Sequence, residues 1–564
     1  MSVTRTSPRR LGLSLAVCLA LMGAQSAWSG EIKPYWSSKS SGPRSEAPID
    51  IPPSEWDLNY SRDLGFRGAT GNPYVLGFEA ISQYDNAALG RNFIPPDTIG
   101  AVGKTQYMAT TNGSYAVFDK YTGARQQLWK DTDFWTAAGQ IGGTNGDTRV
   151  MYNASNQRWI AVAFGANTKD LMVAVSNDSN ALGGWKSVKF EGYAGFGFGA
   201  TADYPTLAMD RNAVYIGTNN FAPLTSGGAS NYRGTTLNAI PINSLFNASG
   251  PSVANMMQFN TPYNGAGSVD RGFALQGVNS NSASGPGKIV AASAFNYDNV
   301  AYTINGLSAD SASGATQGDV QYLGVAAFTA PGAGRQPADV AANRRIVSTL
   351  DERISSSVYE VNGRIYSVQT VDSTADGLDE SRIRYTVIDA QTFAVLAQGD
   401  IGEAGYDYYQ GSLAVNSQGQ VVVGYNRSGL DAATGKISFM ARAFATNADG
   451  SLSQLGGELL LKESLTNDYH NGSGFGLAAV GRQRWGDYSA VSVDPEDELN
   501  FYLIGQYARE YNRPEDGHPG GTGGSRWSTW VAQVNVAQMV PEPETYALFL
   551  TGVLLLAFVR RRAD

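Results

Sequence analysis

Cysteine is almost missing from this chain. The one copy, Cys18, sits in an apolar stretch near the N-terminus, and the remaining sequence has none. That excludes disulfides, a thiol nucleophile and cysteine metal sites from the body of the protein. Histidine occurs only as His470 and His518, so multi-histidine metal sites are excluded and any histidine catalysis would rest on a single residue. Charge is sparse at 16%, and it is unbalanced: 50 acidic against 41 basic residues give a net charge of -9. An acidic surface argues against binding to nucleic acid or adhesion to anionic lipid. Long stretches of helical period are missing as well. A large chain without covalent staples needs an extensive core, and 564 residues are enough to bury one.

What the sequence does have begins with glycine and tyrosine, 66 and 29 copies, a composition of short strands and tight turns. At the N-terminus, Arg5, Arg9 and Arg10 precede an apolar run from Leu11 to Met22, and Ala27-Trp28-Ser29 supplies small residues. This is the layout of a secretory signal peptide over residues 1–29, cut after Ser29 by signal peptidase. The Arg9-Arg10 pair hints at the twin-arginine route, but the residues after it match that pattern poorly. Cleavage removes three arginines and no acid, so the mature chain is more acidic still. Residues 30–85, with Pro34, Pro43, Pro48, Pro52 and Pro53, read as an extended lead-in.

At the other end, Val540-Pro541-Glu542-Pro543-Glu544 is followed by an uncharged, mostly apolar run from Thr545 to Val559, and Arg560-Arg561-Arg562 close it. The prolines break regular structure, the run suits a bilayer, and the arginines hold to the cytoplasmic side. Residues 540–564 resemble the PEP-CTERM tail of Gram-negative bacteria. The resemblance implies a sorting helix recognised by an exosortase, with a transient or retained membrane anchor, then delivery to the cell surface or extracellular matrix.

Between the ends, one phrase recurs: a turn, an apolar strand ending near Asp or Asn, a short turn, and a second strand often opened by an aromatic. Val150–Asn153 leads to Trp159–Val162, Leu207–Asp210 to Tyr215–Gly217, and Val358–Asn362 to Ile365–Val368. Leu413–Asn416 leads to Val421–Val423, and Val491–Asp494 to Phe501–Ile504. Ile99–Val102 before Tyr107-Met108, and Phe273–Gly277 before Ile289–Ala291, are weaker copies. Each phrase predicts a β-hairpin. Hairpins recurring every roughly 50 to 85 residues, with strands between, predict an all-β fold over residues 86–539. The expected form is a single β-propeller of about seven four-stranded blades, six or eight being compatible too. Thr529–Val536 is the candidate closing strand, paired with one from the start of the domain. Pro95–Gly103 and Arg484–Ala490, with Thr144–Asp147 and Asp203–Pro205, resemble phrases of large secreted bacterial propeller-like proteins, a likeness that implies a fold and no activity.

Carboxylates recur before the first strand of each phrase: Asp97, Asp147, Asp203, Asp270, Asp351 or Glu352, Asp407 and Asp487. Around one axis they would gather at a channel mouth, mixed in sign because Arg149, Arg271, Arg353 and Arg484 lie close by in sequence. The candidate ligand-binding set is Asp97, Asp147, Arg149, Asp203, Tyr204, Asp407, Arg484, Asp487 and Tyr488. Against that stands the ordinary role of Asp as a turn cap. No cofactor is implied; the oxygen-rich loops admit calcium, though none has a dedicated calcium spacing. Asp468-Tyr469-His470 and Ser473 share one loop, and adjacency within a loop does not give the convergence a catalytic triad needs. Trp485, Tyr408 and Tyr409 are aromatics that either stack on sugars or pack blades. The expected role is a binding or structural component of an exopolysaccharide matrix, with a glycan or matrix protein as ligand. The alternative is an extracellular carbohydrate-active hydrolase or lyase using the carboxylates.

Overall fold

The computed structural model describes residues 49–50, 62–91, 93–144, 146–192, 201–222, 232–263, 267–281, 285–340, 346–372, 380–470, 483–511 and 525–539. The signal peptide, most of the lead-in and the sorting tail lie outside the described residues. Among those described, no helix is long and apolar enough to cross a membrane.

Strands dominate, in antiparallel groups that follow one another along the chain. The first sheet is Ile99–Val102, Gln106–Thr111, Ser114–Asp119 and Arg125–Lys130. The second is Arg149–Asn153, Arg158–Phe164, Asp170–Ser176 and Trp185–Glu191. In the third, Thr201–Asp203 and Ala208–Met209 both pair with Ala213–Phe221, followed by Tyr232–Pro241 and Met257–Pro262. The fourth runs Phe273–Ser280, Gly287–Ala292 and Asn299–Asn305, edged by Thr316–Gln317 and Gln321–Tyr322. The fifth is Val358–Val361, Arg364–Asp372, Ser381–Asp389 and Val395–Ile401, joined to the fourth by parallel pairing of Val278 with Val358. The sixth is Tyr406–Val415, Gln420–Gly429, Ser438–Thr446 and Leu452–Glu463.

The seventh sheet joins the two ends of the body. Ala490–Val493, Asn500–Tyr511 and Ser525–Asn535 are continued by Tyr74–Ser82 and Phe66–Arg67. All seven expected hairpins are therefore present. The C-terminal closing strand also pairs as expected, but its partner lies before residue 86, inside the stretch read as lead-in. Proline richness hid it: the mostly apolar run Tyr74–Ser82 follows directly on the proline-rich stretch and was read with it.

The core lies between successive sheets. Val162 and Val173 of the second sheet meet Val214 and Ile216 of the third, and Val387 of the fifth meets Val423 of the sixth. Leu503 and Val534 of the seventh pack on Val422 and Ala441 of the sixth, while Phe118 of the first packs with Val531 of the seventh. Inner strands are thus covered on both faces, which is why they read as continuous apolar runs such as Ile160–Phe164. Outer strands are half-buried and polar, as in Arg125–Lys130.

First strands also touch across sheets. Val102 N–H donates to Ser492 Oγ (3.1 Å), tying the first sheet to the seventh, and Met209 N–H donates to Asn279 Oδ1 (3.0 Å), tying the third to the fourth. Leu413 N–H donates to Ser356 Oγ (3.1 Å), and Ser489 Oγ to Ser412 Oγ (2.9 Å). A cavity of about 960 Å³ is lined by residues from the first strands of all seven sheets, among them Val102, Met151, Met209, Asn279, Val361, Val415 and Val493.

Candidate functional site

Just before the first strands the chain turns sharply through left-handed residues, Asp97 (φ 46°), Asp147 (φ 53°) and Tyr204 (φ 55°), and Ala274 (φ 54°) and Gln410 (φ 54°) make irregularities within the first strands of the fourth and sixth sheets. Each costs on the order of 1 kcal/mol for a residue other than glycine, less for Asp, whose side chain bonds locally. The repeated turn points side chains and N–H groups toward their neighbours in the next sheet. Asp97 Oδ1 accepts from Asp487 N–H (2.7 Å), and its Oδ2 accepts from Asn112 Nδ2 (2.7 Å). Asn112 Oδ1 in turn accepts from Asp147 N–H (2.9 Å). Asp147 Oδ2 accepts from Tyr204 N–H (3.2 Å), which Asp203 Oδ1 shares (3.0 Å). This chain of bonds runs from the seventh sheet through the first and second to the third.

Cations and rings fill the space around it. The Arg149 guanidinium lies 3.5 Å from the Tyr488 ring centroid, and its Nε donates to Pro205 O (2.6 Å). Arg353 stands 4.3 Å over Tyr204, and the two tyrosine rings are 4.9 Å apart. Burial pushes the Asp97 carboxyl well up, with the charges of Asp487 and Asp147 adding to it and Arg484 opposing. Asp147 is raised by burial and then by Asp203 and Asp487. Asp203 is raised to about 6 by burial, with Asp487 adding to the shift and the hydrogen bond to Asp147 and the charge of Arg353 opposing it.

Eight of the nine predicted residues therefore fall within one neighbourhood: Asp97, Asp147, Arg149, Asp203, Tyr204, Arg484, Asp487 and Tyr488. Asp407 belongs elsewhere. Its carboxylate takes Arg335 Nε (2.7 Å) and Ser381 N–H (3.2 Å), in an ion-pair cluster with Glu380 and Arg382. Asp270 is spent inside its own sheet on Ser293 Oγ (2.5 Å) and Gly272 N–H (2.9 Å). Asp351 pairs with Arg353 through two bonds of 2.6 Å. Trp485, Tyr408 and Tyr409 are fully buried, so they pack sheets and are not available to stack on sugars. Asp468 Oδ1 faces His470 Nδ1 (3.2 Å) in the interior, while Ser473 lies outside the described residues. Among the described residues no three acidic, histidine or cysteine side chains gather in a way that could hold a metal ion.

The cluster is closed more than open. Asp97 is 1% exposed, Asp147 7% and Tyr488 1%; only Asp203, Arg484 and Asp487 are half-buried. Sequence reasoning missed Asn112, the residue that connects two of the carboxylate loops; a lone Asn before Gly113 in a hairpin turn carries only a turn signal. It also missed the cavity beyond, whose polar rim comes from the short turns after the first strands, such as Asp210, Asn362, Asn416 and Glu498.

The raised carboxyls set a pH dependence. A carboxyl whose folded pKa exceeds its unfolded value stabilises the fold fully below the unfolded value and loses that contribution as pH rises through the folded one. For Asp203 the loss falls between about 4 and about 6. The protein is expected to resist urea better at pH 4.5 than at pH 7.5 in this respect. Asp147→Asn keeps an oxygen for Tyr204 N–H and removes a like charge, so it should stabilise by on the order of 1 kcal/mol at pH 7.5 and leave pH 4.5 unchanged. Urea midpoints at the two pH values check this.

No protein-family model matches the chain, and no characterised protein matches it in sequence. Among solved structures, a protein of unknown function from Dyadobacter fermentans is 11% identical, with a TM-score of 0.34, over 78% of this chain and 94% of its own. Hsv2 of Kluyveromyces lactis is 8% identical at a TM-score of 0.33, covering 78% and 97%. The sialidase of Trypanosoma rangeli is 8% identical at 0.32, covering 78% and 60%. Likenesses this distant leave the function of this chain to its own geometry.

Proposed function

We propose that the seven sheets close into one seven-bladed β-propeller, exported and sorted at its C-terminus by an exosortase, that serves as a binding component of an exopolysaccharide matrix. The ligand of this reading enters the central cavity, and the carboxylate layer is the clasp that seals its far end. One observation carries it: the first strands of all seven sheets contribute to one cavity of about 960 Å³. The carboxylates of the clasp, by contrast, are committed to backbone N–H groups of neighbouring sheets. That volume is in the range of small-molecule or oligosaccharide sites. Hydrolysis by paired carboxylates needs both to reach the substrate, and Asp97 and Asp147 are sealed.

A second reading has its own observation. Asp203, raised to about 6, and Asp487 are both half-open, and a carboxyl of raised pKa beside a second acid is the arrangement of a glycosidase. Purified residues 30–539 are tested by calorimetry and product analysis against neutral and acidic exopolysaccharide oligosaccharides, with and without calcium. The binding reading expects saturable binding without turnover, weakened by Val361→Trp, which narrows the cavity at one wall. Turnover that vanishes in Asp203→Asn or Asp487→Asn would replace it with the hydrolase.

A further inference from the structure

The clasp end of the central cavity carries a cation without a counter-ion. Arg149 opens the first strand of the second sheet, lines the cavity and is 6% exposed. Its Nε is tied to Pro205 O (2.6 Å), and its Nη2 has no hydrogen-bond partner in the protein. Next to it the rings of Tyr488 and Tyr204 and the guanidinium of Arg353 stack on one another, and Arg353 reaches on over Phe273 (5.0 Å). These five residues stand at or just before the first strands of the second, third, fourth, fifth and seventh sheets, so the stack spans the end of the cavity. Of the five, Arg149 is the one that lines the cavity.

Other buried arginines of the body have carboxylate partners: Arg353 has Asp351 (2.6 Å), Arg382 has Glu380 (2.7 Å) and Arg384 has Asp400 (2.7 Å). Among the described residues Arg149 has none, because Asp97 and Asp147 of the clasp take backbone N–H groups instead. A guanidinium removed from water with an open donor favours an anion that can bond to it. One cation offsets one negative charge, and the clasp carboxylates make a second unwelcome, so a carboxylate suits the place better than a phosphate dianion. The acids at the mouth do not bar such a ligand. Glu360 is paired with Lys288 (2.9 Å) and Asp494 with Lys120 (2.6 Å), which leaves Asp210 and Glu498 against Arg211 among the other charged residues of the lining. We infer that Arg149 receives a carboxylate, and that the ligand of the cavity is an acidic oligosaccharide that enters with a uronate residue foremost. The inference rests on the cavity-binding reading above and adds to it the chemical class of the ligand.

Residues 30–539 are titrated by calorimetry with oligosaccharides of the galacturonate, glucuronate and mannuronate series, each beside its carboxyl-reduced, neutral counterpart. The expected result is that an acidic member binds about tenfold tighter than its own neutral counterpart. In Arg149→Gln, shown to be folded by its thermal melt, the two forms should bind alike, with the affinity for the neutral form kept; Arg149→Lys should restore part of the preference. If Arg149→Gln does not fold, the comparison of acidic and neutral forms on the parent chain decides alone. Equal affinity for the two forms on the parent, or a preference that persists in folded Arg149→Gln, overturns the role of Arg149 and leaves cavity binding standing. Binding of neither form, in any series, overturns the inference together with the reading on which it rests.

Discussion

A chain that begins at residue 93 is expected to lose its cooperative unfolding transition altogether. The strand Tyr74–Ser82 lies between Ser525–Asn535 and Phe66–Arg67, and among the described residues it is the only contribution of the N-terminal part to the seventh sheet apart from that short outer pair. Leu76, Phe78, Ala80 and Ile81 from this strand are buried with Tyr502, Ile504 and Val531. Losing the three larger side chains alone forfeits roughly 1.5–3 kcal/mol each. Glu79, fully buried, accepts from Tyr507 OH (2.9 Å), Ser528 Oγ (2.5 Å) and Arg509 Nη1 (2.7 Å), so its removal strands three donors. The sum rivals the roughly 5–15 kcal/mol that holds a typical domain together, and it bares a long apolar edge. Circular dichroism melts should show no sharp transition for the truncated chain, and a peptide of residues 62–92 added in trans should restore one. A truncated chain that melts like the full body would show that the closing strand is dispensable.

The second large effect is expected at Asn112. Its side chain donates to Asp97 Oδ2 (2.7 Å) and Pro95 O (3.1 Å) and accepts from Asp147 N–H (2.9 Å), all in the interior. Asn112→Ala leaves a buried N–H and a buried carboxylate oxygen without partners, at roughly 1–3 kcal/mol each. A destabilisation of about 3 kcal/mol or more is expected, read from the urea midpoint at constant slope. Asn112→Asp should be worse at pH 7.5, because it adds another carboxylate beside two whose pKa values are already raised, and it should recover part of the loss at pH 4.5. If both variants unfold like the parent, the clasp contributes no stability and its carboxylates are free for another task.

The hairpin rhythm was legible because buried strands advertise themselves. Trp159–Val162 and Val421–Val423 are apolar without interruption, and the Asp or Asn that follows each first strand marks a turn whatever the tertiary context. The convergence of Asp97, Asp147, Asp203 and Asp487 was legible for the same reason: residues at the same position in successive hairpins meet when the hairpins share an axis. What those carboxylates do was not legible. Whether an Asp at a turn faces solvent or a neighbouring N–H depends on a left-handed backbone at Asp97 and Asp147, which no local pattern announces. Asp407 was grouped with the others by spacing alone; its strand, Tyr406–Val415, starts earlier than its counterparts, so the side chain meets Arg335 instead. Trp485 and Tyr409 were ambiguous because a large aromatic is equally suited to a sugar platform and to the space between two sheets. The cavity was invisible, since its lining is assembled from short stretches of seven segments that are distant in sequence.

The account depends on the first and seventh sheets being neighbours in a closed ring, and a cysteine pair tests that directly. Val102 N and Ser492 Oγ are 3.1 Å apart across 390 residues of sequence, which brings their Cα atoms within disulfide reach. In residues 30–539 carrying Val102→Cys and Ser492→Cys, mild oxidation should give a monomer that migrates faster on a non-reducing gel and unfolds at a higher temperature than its reduced form. Cross-linking only between molecules, or no cross-linking while the fold is intact, would mean that the sheets do not surround one axis.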